Sequence, residues 1–109
     1  MYARIVEFIP KAETREEVVN VVRRDVLPIL KRQPGFLEFL PFVPENKKDN
    51  VIAVTLWAEK QEADRYEREV YPKVEAILKP YLTTPITFKH YHVETTLCQH
   101  FAEALWSEI

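Results

Sequence analysis

The 109-residue sequence has few of the residue types on which several functional classes depend. Its single glycine excludes the glycine-rich loops that bind nucleotide phosphates. Its single cysteine, Cys98, can form no internal disulfide and has no CxxC partner for zinc or redox chemistry. The GxSxG motif of hydrolases and the HExxH motif of zinc proteases are both missing. The sequence therefore argues against nucleotide-dependent enzymes, disulfide scaffolds and these two hydrolase classes.

Excess charge and long hydrophobic runs are also missing. The net charge of −2 provides no basic patch, so we expect no nucleic-acid partner and no attachment to a membrane surface. The longest apolar run, IAVTLWA, is far shorter than the roughly 20 residues that span a bilayer. The N-terminal MYARIVEF lacks a signal-peptide pattern, so we expect a cytoplasmic protein. An apolar content of 47% with 29% charged residues is typical of one globular domain.

Hydrophobic periodicity predicts four strands and two helices. β-branched and aromatic residues mark the predicted strands, at residues 2–9, 36–43, 51–57 and 86–94. Apolar stripes at helical spacing mark two helices, one starting at a capping box formed by Thr14 and Glu17, the other starting near Glu59. The order βαββαβ predicts an α+β, ferredoxin-like fold with a four-stranded antiparallel sheet and both helices on one face.

Prolines and the single glycine set the predicted boundaries. Pro28 and Pro72 should each interrupt a helix, and the similar segments RDVLP and REVYP around them lie 44 residues apart (68 − 24). In this weak repeat, Val22 falls on the position of Tyr66. We expect Gly35 to end the first helix with a positive φ angle, and Pro41 to place the second strand at an edge of the sheet.

The predicted strands are apolar on both faces, although the helices cover only one. On the first strand, Ile5 and Ile9 point one way, and Val6 and Phe8 point the other. Soluble monomers rarely expose a large apolar patch, so we expect a homodimer joined sheet to sheet. We assign residues 1–94 to this domain and residues 95–109, which carry apolar side chains at helical spacing, to a C-terminal helical extension.

Three passages, VLPILKRQPGF, TLWAEKQEADRYE and EREVYPKV, together with the order of elements, resemble the antibiotic biosynthesis monooxygenase domain over about residues 2–94. The resemblance implies a dimeric α/β barrel with a pocket in each subunit between sheet and helices. It also implies binding of a small molecule, with aromatic ones favoured. Some members of the family oxidise aromatic polyketides with molecular oxygen and no cofactor, and others degrade haem. Trp57 corresponds to the tryptophan that lines the pocket in both groups.

The sequence departs from both active groups at their other motif positions. The cofactor-free oxygenases have an asparagine shortly before the strand-end tryptophan, where this chain has Ala53. The haem-degrading members pair the tryptophan with an asparagine on the first strand and a histidine on the second helix. This chain has no asparagine in residues 2–9 and no histidine in residues 58–81. Haem degradation is therefore not predicted, and we expect no cofactor.

The stretch HYHVE places His90, His92 and Glu94 at alternating positions of the fourth strand. They would span about 13 Å along a strand, so all three cannot bind one ion, and we assign no metal site. The two histidines are candidate acid/base catalysts, because histidine titrates near neutral pH. The alternative is that they are polar residues hydrogen-bonded near the dimer interface or the pocket wall.

Trp57, Tyr66 and Arg4 are the candidate pocket residues. Trp57 and Tyr66 can line a pocket or pack in the core. Arg4 is a charge among apolar neighbours, so it should pair either with a carboxylate, for which Glu94 or Glu38 are the candidates, or with an anionic ligand.

These observations lead to one functional hypothesis and two alternatives. The first is a homodimer that binds a small molecule and oxygenates it without a cofactor. The second is a non-catalytic ligand-binding or regulatory dimer on the same barrel, which Ala53 favours. An isomerase or a degrading enzyme that uses similar pocket residues is the third.

Overall fold

The computed structural model describes residues 1–46 and 49–98. Within these ranges four strands form one antiparallel sheet in the order β2-β3-β1-β4. The strands are β1 (Tyr2–Phe8), β2 (Phe36–Phe42), β3 (Val51–Trp57) and β4 (Thr87–His92). This topology confirms the predicted ferredoxin-like α+β fold. Pro41 lies in β2, an edge strand as expected, because proline cannot donate to a second neighbouring strand.

Two interrupted helical units cover one face of the sheet. The first contains α1 (Arg15–Val21), a π-helical turn (Val22–Val26) and α2 (Leu27–Lys31). The second contains α3 (Lys60–Glu69) and α4 (Tyr71–Leu78), with a break at Val70. Short 3₁₀ turns occur at Ala12–Thr14 and Lys79–Tyr81.

The two interruptions lie where the prolines predicted them. Pro28 and Pro72 each occupy the second position of the helix that follows, where a missing N–H is tolerated. The repeat extends to adjacent ion pairs, since Arg24 contacts Asp25 at 2.9 Å and Arg68 contacts Glu69 at 3.6 Å. The predicted capping box is wrong. The Thr14 hydroxyl makes no capping bond and lies 3.1 Å from the carbonyl oxygen of Lys11, and 3.2 Å from that of Tyr81.

Gly35 has the predicted positive φ, 79°, but it does not end the helix. It lies in a turn from Gln33 to Phe36, closed by a hydrogen bond of 3.2 Å from the Phe36 N–H to the Gln33 carbonyl. Proline followed by a positive-φ glycine is the preferred centre of a type II turn. This turn directs the chain from α2, which ends at Lys31, into β2.

The core lies between the helices and the covered face of the sheet. Its buried apolar side chains are Tyr2, Phe8, Val18, Val21, Val26, Leu30, Val51, Ala53, Trp57, Ala63, Tyr66, Tyr71, Val74, Leu78 and Leu82. On β3 the odd-numbered residues are buried, which places Ile52, Val54 and Leu56 on the other face. The register aligns Phe42 with Ile52 and Leu40 with Val54, so this open face is a continuous apolar surface.

Most of the predicted C-terminal helix, residues 95–109, falls at 99–109, outside the described residues. Residues 95–98 form a turn, with hydrogen bonds from Leu97 N–H to the Glu94 carbonyl and from Cys98 N–H to the Thr95 carbonyl. None of the described helices has the length and apolar character required to cross a membrane.

Candidate functional site

A cavity of about 390 Å³ lies between the first helical unit and the sheet. Val18, Val22 and Leu27 line it from the helical side, and Phe8, Phe39 and Ala53 line it from the sheet. Arg15 and Arg23 add two positive charges to its lining. The arrangement suits an apolar molecule that carries a negative or polar group at one end.

The cavity follows from small side chains in one half of the repeat. Val22 faces the cavity, whereas Tyr66, its counterpart in the second unit, fills the corresponding space. The Tyr66 ring packs against Trp57 with centroids 5.0 Å apart, and Trp57 also contacts Phe36 edge-on at 5.7 Å. The two halves of the fold thus differ, since one is filled and the other holds a cavity.

Trp57 and Tyr66 are core residues in this structure. Trp57 is completely buried, and its indole N–H donates to the Thr55 hydroxyl at 2.9 Å. Burial raises the pKa of Tyr66 to about 12, although the Arg4 guanidinium opposes the change. Neither residue lines the cavity described above. Their assignment to a substrate pocket stays a prediction.

Arg4 is buried in the filled half, with 2% of its surface exposed. Its guanidinium carbon lies 3.9 Å from the centre of the Tyr71 ring and 5.0 Å from that of Phe88. The aromatic faces attract the cation and offset part of the cost of removing it from water. Burial raises the pKa of Tyr71, and Arg4 again opposes the shift.

Some buried polar atoms of Arg4 and Tyr71 have no hydrogen-bond partner among the described residues. No acceptor among the described residues forms a hydrogen bond with the Nε or Nη2 of Arg4, and the buried Tyr71 hydroxyl has no partner there either. The Arg4 guanidinium lies over the Tyr71 ring and lowers the pKa of the hydroxyl through its charge and a hydrogen-bond contribution, but the contact between them does not have hydrogen-bond geometry. A buried unsatisfied group typically costs about 1–3 kcal/mol.

Glu67 is the carboxylate that lies between Arg4 and His90. Its Oε1 is 3.7 Å from the Arg4 Nη2, too long for a hydrogen bond, whereas its Oε2 is 2.7 Å from the His90 Nε2. The Arg4 partners expected from the sequence, Glu94 and Glu38, are therefore replaced by Glu67. His90 also stacks on Tyr2 with ring centroids 6.0 Å apart.

His92 and Glu94, the other candidate residues of HYHVE, make separate contacts. His92 meets the Tyr2 ring edge-on at 5.3 Å, while Glu94 follows the end of β4 and accepts a hydrogen bond from the Thr96 hydroxyl. In residues 1–46 and 49–98, no three histidine, cysteine or acidic side chains lie close enough together to hold a metal ion. The catalytic role of His90 and His92 stays a prediction.

The cavity and the histidines lie in opposite corners of the covered face. The cavity reaches β2 and the end of β1 at Phe8, whereas His90 and His92 lie on β4 opposite the start of β1. Since β1 separates β3 from β4, Ala53 and His90 lie on strands about 10 Å apart. The geometry therefore provides two separate candidate sites.

Sequence reasoning missed Glu67, Tyr71 and the cavity. Glu67 follows Tyr66 at the border of the apolar stripe, where periodicity alone cannot tell a solvated charge from a buried partner. One signal did exist, because the repeat places a small Val22 opposite a large Tyr66 and so predicts unequal filling of the two halves.

Comparisons with known proteins point to one family. The family model described as antibiotic biosynthesis monooxygenase matches residues 1–73. A solved structure from Nitrosomonas europaea, described as a putative antibiotic biosynthesis monooxygenase, is 16% identical and superposes with a TM-score of 0.71, covering 86% of this chain and 99% of the other. SnoaB, described as a cofactor-independent oxygenase from Streptomyces nogalater, is 16% identical with a TM-score of 0.72, covering 89% and 96%. None of the curated proteins matches the sequence.

Proposed function

Because the chain belongs to the antibiotic biosynthesis monooxygenase family, we propose that it is a homodimer that binds a small aromatic molecule in the cavity under its first helical unit. The observation that carries this proposal is the cavity itself. Its volume of about 390 Å³ lies within the range of small-molecule sites, roughly 300–1,000 Å³, and its walls are mostly apolar.

The chemistry of the lining indicates the class of ligand. Phe8 and Phe39 contribute aromatic side chains to the lining, which suits a planar molecule, and Val18 and Val22 contribute aliphatic ones. Arg23 is exposed at the cavity, with one guanidinium nitrogen 3.5 Å from the Asn20 side-chain oxygen, so it can also meet an anionic substituent. An aromatic acid or a phenolate fits this combination.

Filling the cavity tests the proposal. Anilinonaphthalene sulfonate, an aromatic anion, is titrated by fluorescence into the wild type and into Val22→Tyr, which introduces the side chain that the repeat carries in its filled half. We expect saturable binding to the wild type and at least about tenfold weaker binding to the variant. The matched control is Val93→Tyr, which adds the same ring at a half-buried valine outside the cavity. Equal binding to all three proteins would place the site elsewhere.

The sheet-to-sheet homodimer is supported by the composition of the open face. Leu40, Phe42 and Ile52 are 40%, 55% and 36% exposed there, and Tyr91 on β4 is 49% exposed. Sedimentation of the wild type should give a species of twice the 12.9 kDa chain mass, and Phe42→Glu should shift it toward the monomer. A folded wild-type monomer at micromolar concentration would refute the dimer.

Cofactor-independent oxygenation is the second candidate function, and the fold shared with SnoaB favours it. In such a reaction a substrate CH₂ group and O₂ give a C=O group and water, and the substrate anion supplies the electrons. Oxygen uptake with 1,8-dihydroxyanthrone tests it, against buffer and against Val22→Tyr. If the protein does not accelerate oxygen uptake, only the binding function remains. This outcome agrees with Ala53 at the position of the oxygenase asparagine. His90 does not line the cavity, so slower uptake in His90→Ala would place the reacting substrate in the other half of the fold.

A further inference from the structure

A second pocket, of about 340 Å³, lies at the C-terminal end of the second helical unit, and we call it the α4 pocket. Glu75 and Lys79 line it from α4 and the 3₁₀ turn that follows. The rest of the lining comes from the connection to β4, with Leu82, Thr84, Pro85 and Ile86 among its residues. No residue of this lining also lines the cavity under the first helical unit. The volume lies within the range of small-molecule sites, roughly 300–1,000 Å³.

The connection that forms one wall of the α4 pocket is held in place by contacts with the end of β1. Leu82 is buried and forms an isolated β-bridge with Pro10. The Thr83 N–H and the Thr83 hydroxyl both donate to the Ile9 carbonyl, at 2.9 Å and 3.1 Å. A ligand therefore meets a wall that is already ordered, which lowers the entropy cost of binding.

Two opposite charges line the α4 pocket one helical turn apart. Glu75 precedes Lys79 by four residues, the order that favours an ion pair along a helix. Within the part of the chain that the structure describes, however, neither side chain takes part in an ion pair or a hydrogen bond. Both residues are exposed. A carboxylate and an ammonium group are therefore accessible to a ligand from solvent.

These groups fit the zwitterion of an α-amino acid. The ammonium group of such a ligand can donate to Glu75 while its carboxylate accepts from Lys79, and both contacts are charge-assisted hydrogen bonds. Side chains four residues apart on a helix have Cβ atoms about 5–6 Å apart, so their charged ends can reach both groups of one small molecule. The Thr84 hydroxyl, which has no hydrogen-bond partner in residues 1–46 and 49–98, adds a further donor and acceptor.

The apolar part of the lining indicates the side chain of the ligand. Leu82, Pro85 and Ile86 contribute hydrocarbon surface, and the described lining carries no third charged residue. Because the two pocket charges cancel, a ligand with a single charge leaves one of them unmatched. We infer that the α4 pocket binds a free α-amino acid with an aliphatic side chain, a function separate from the cavity under the first helical unit.

L-Leucine is the probe that tests this site, and three analogues each lack one of its features. Glycine lacks the apolar side chain, 4-methylpentanoate lacks the ammonium group, and 3-methylbutylamine lacks the carboxylate. Each is titrated at pH 7 while the backbone amide NMR resonances of Thr84 and Ile86 are followed. We expect a saturable shift with leucine and at least about tenfold weaker binding of every analogue. Leucine should bind Val22→Tyr as it binds the wild type, because that variant changes only the cavity.

Variants identify the groups responsible. Glu75→Gln and Lys79→Gln should each weaken leucine binding by about tenfold, and both side chains are exposed, so the fold should tolerate either change. Glu69→Gln and Lys73→Gln are the matched controls, since these exposed residues of the same helical unit lie outside the pocket. Absence of a saturable shift with leucine, equal affinity for 4-methylpentanoate, or unchanged affinity in both pocket variants would overturn the proposal. Loss of binding in Val22→Tyr would also overturn it, by placing leucine in the cavity.

Discussion

Removing the Tyr71 hydroxyl should stabilise the protein, although most substitutions of a buried side chain destabilise one. The hydroxyl is buried and has no hydrogen-bond partner among the described residues, and the ring below it keeps its contact with Arg4 in Tyr71→Phe. The variant loses no bond and no packing volume beyond one oxygen. It does lose the cost of keeping a polar atom away from water.

The expected size follows from that cost. A buried donor without a partner costs about 1–3 kcal/mol, so the free energy of unfolding should rise by roughly that amount. For a domain of this size, 1 kcal/mol raises the melting temperature by roughly 4–8 °C. An ordinary Tyr→Phe change that breaks a satisfied hydrogen bond would instead lower stability by about 1 kcal/mol. The change in the free energy of unfolding therefore has opposite signs in the two cases.

Urea unfolding at pH 7 measures the difference, with all variants at one protein concentration because dimerisation contributes to apparent stability. Tyr81→Phe is the control, since it makes the same chemical change at a half-buried tyrosine on the short 3₁₀ turn. A fall of more than about 0.5 kcal/mol in Tyr71→Phe, with an unchanged m-value, would show that the hydroxyl is satisfied and refute the reasoning. A rise of about 1–3 kcal/mol, absent in Tyr81→Phe, would show that the Tyr71 hydroxyl is buried without a partner.

Three further predictions concern the core and one turn. Burial raises the pKa of Tyr66 to about 12, so this tyrosine ionises at a lower pH in the unfolded chain than in the folded one. The free energy of unfolding of the wild type should therefore fall by up to about 3 kcal/mol between pH 10 and about 12. Urea titrations at alkaline pH should show that Tyr66→Phe removes this loss. Gly35→Ala should lower the free energy of unfolding by more than about 1 kcal/mol, because φ is 79° and the added Cβ meets the Glu62 side chain. Adding Glu62→Ala should recover only the part of the loss that comes from this contact. Full recovery would argue against backbone strain. Trp57→Phe should cost about 2–4 kcal/mol by lost packing and by loss of the bond to Thr55, and an unfolding midpoint equal to wild type would contradict its complete burial.

The secondary structure and its order could be read from the sequence because they depend on local patterns. Alternation marked the strands, and the prolines at 28, 41 and 72 marked two helix interruptions and one edge strand, since a missing N–H acts at its own position. The apolar character of both strand faces likewise predicted an open face before any contact was known. The predicted capping box is wrong because the Thr14 hydroxyl lies against the carbonyl of Tyr81, 67 residues away, and makes no capping bond to its own helix.

The candidate sites were decided by tertiary contacts. The sequence alone established that Arg4 is a charge in an apolar strand and that His90 and His92 share a strand face. It could not assign Glu67 to both Arg4 and His90, because this contact joins β1, α3 and β4, and the sequence does not encode helix rotation over a sheet as a short pattern. The cavity has the same origin, because its lining comes from the first helical unit and from β1, β2 and β3, which meet only in the folded chain.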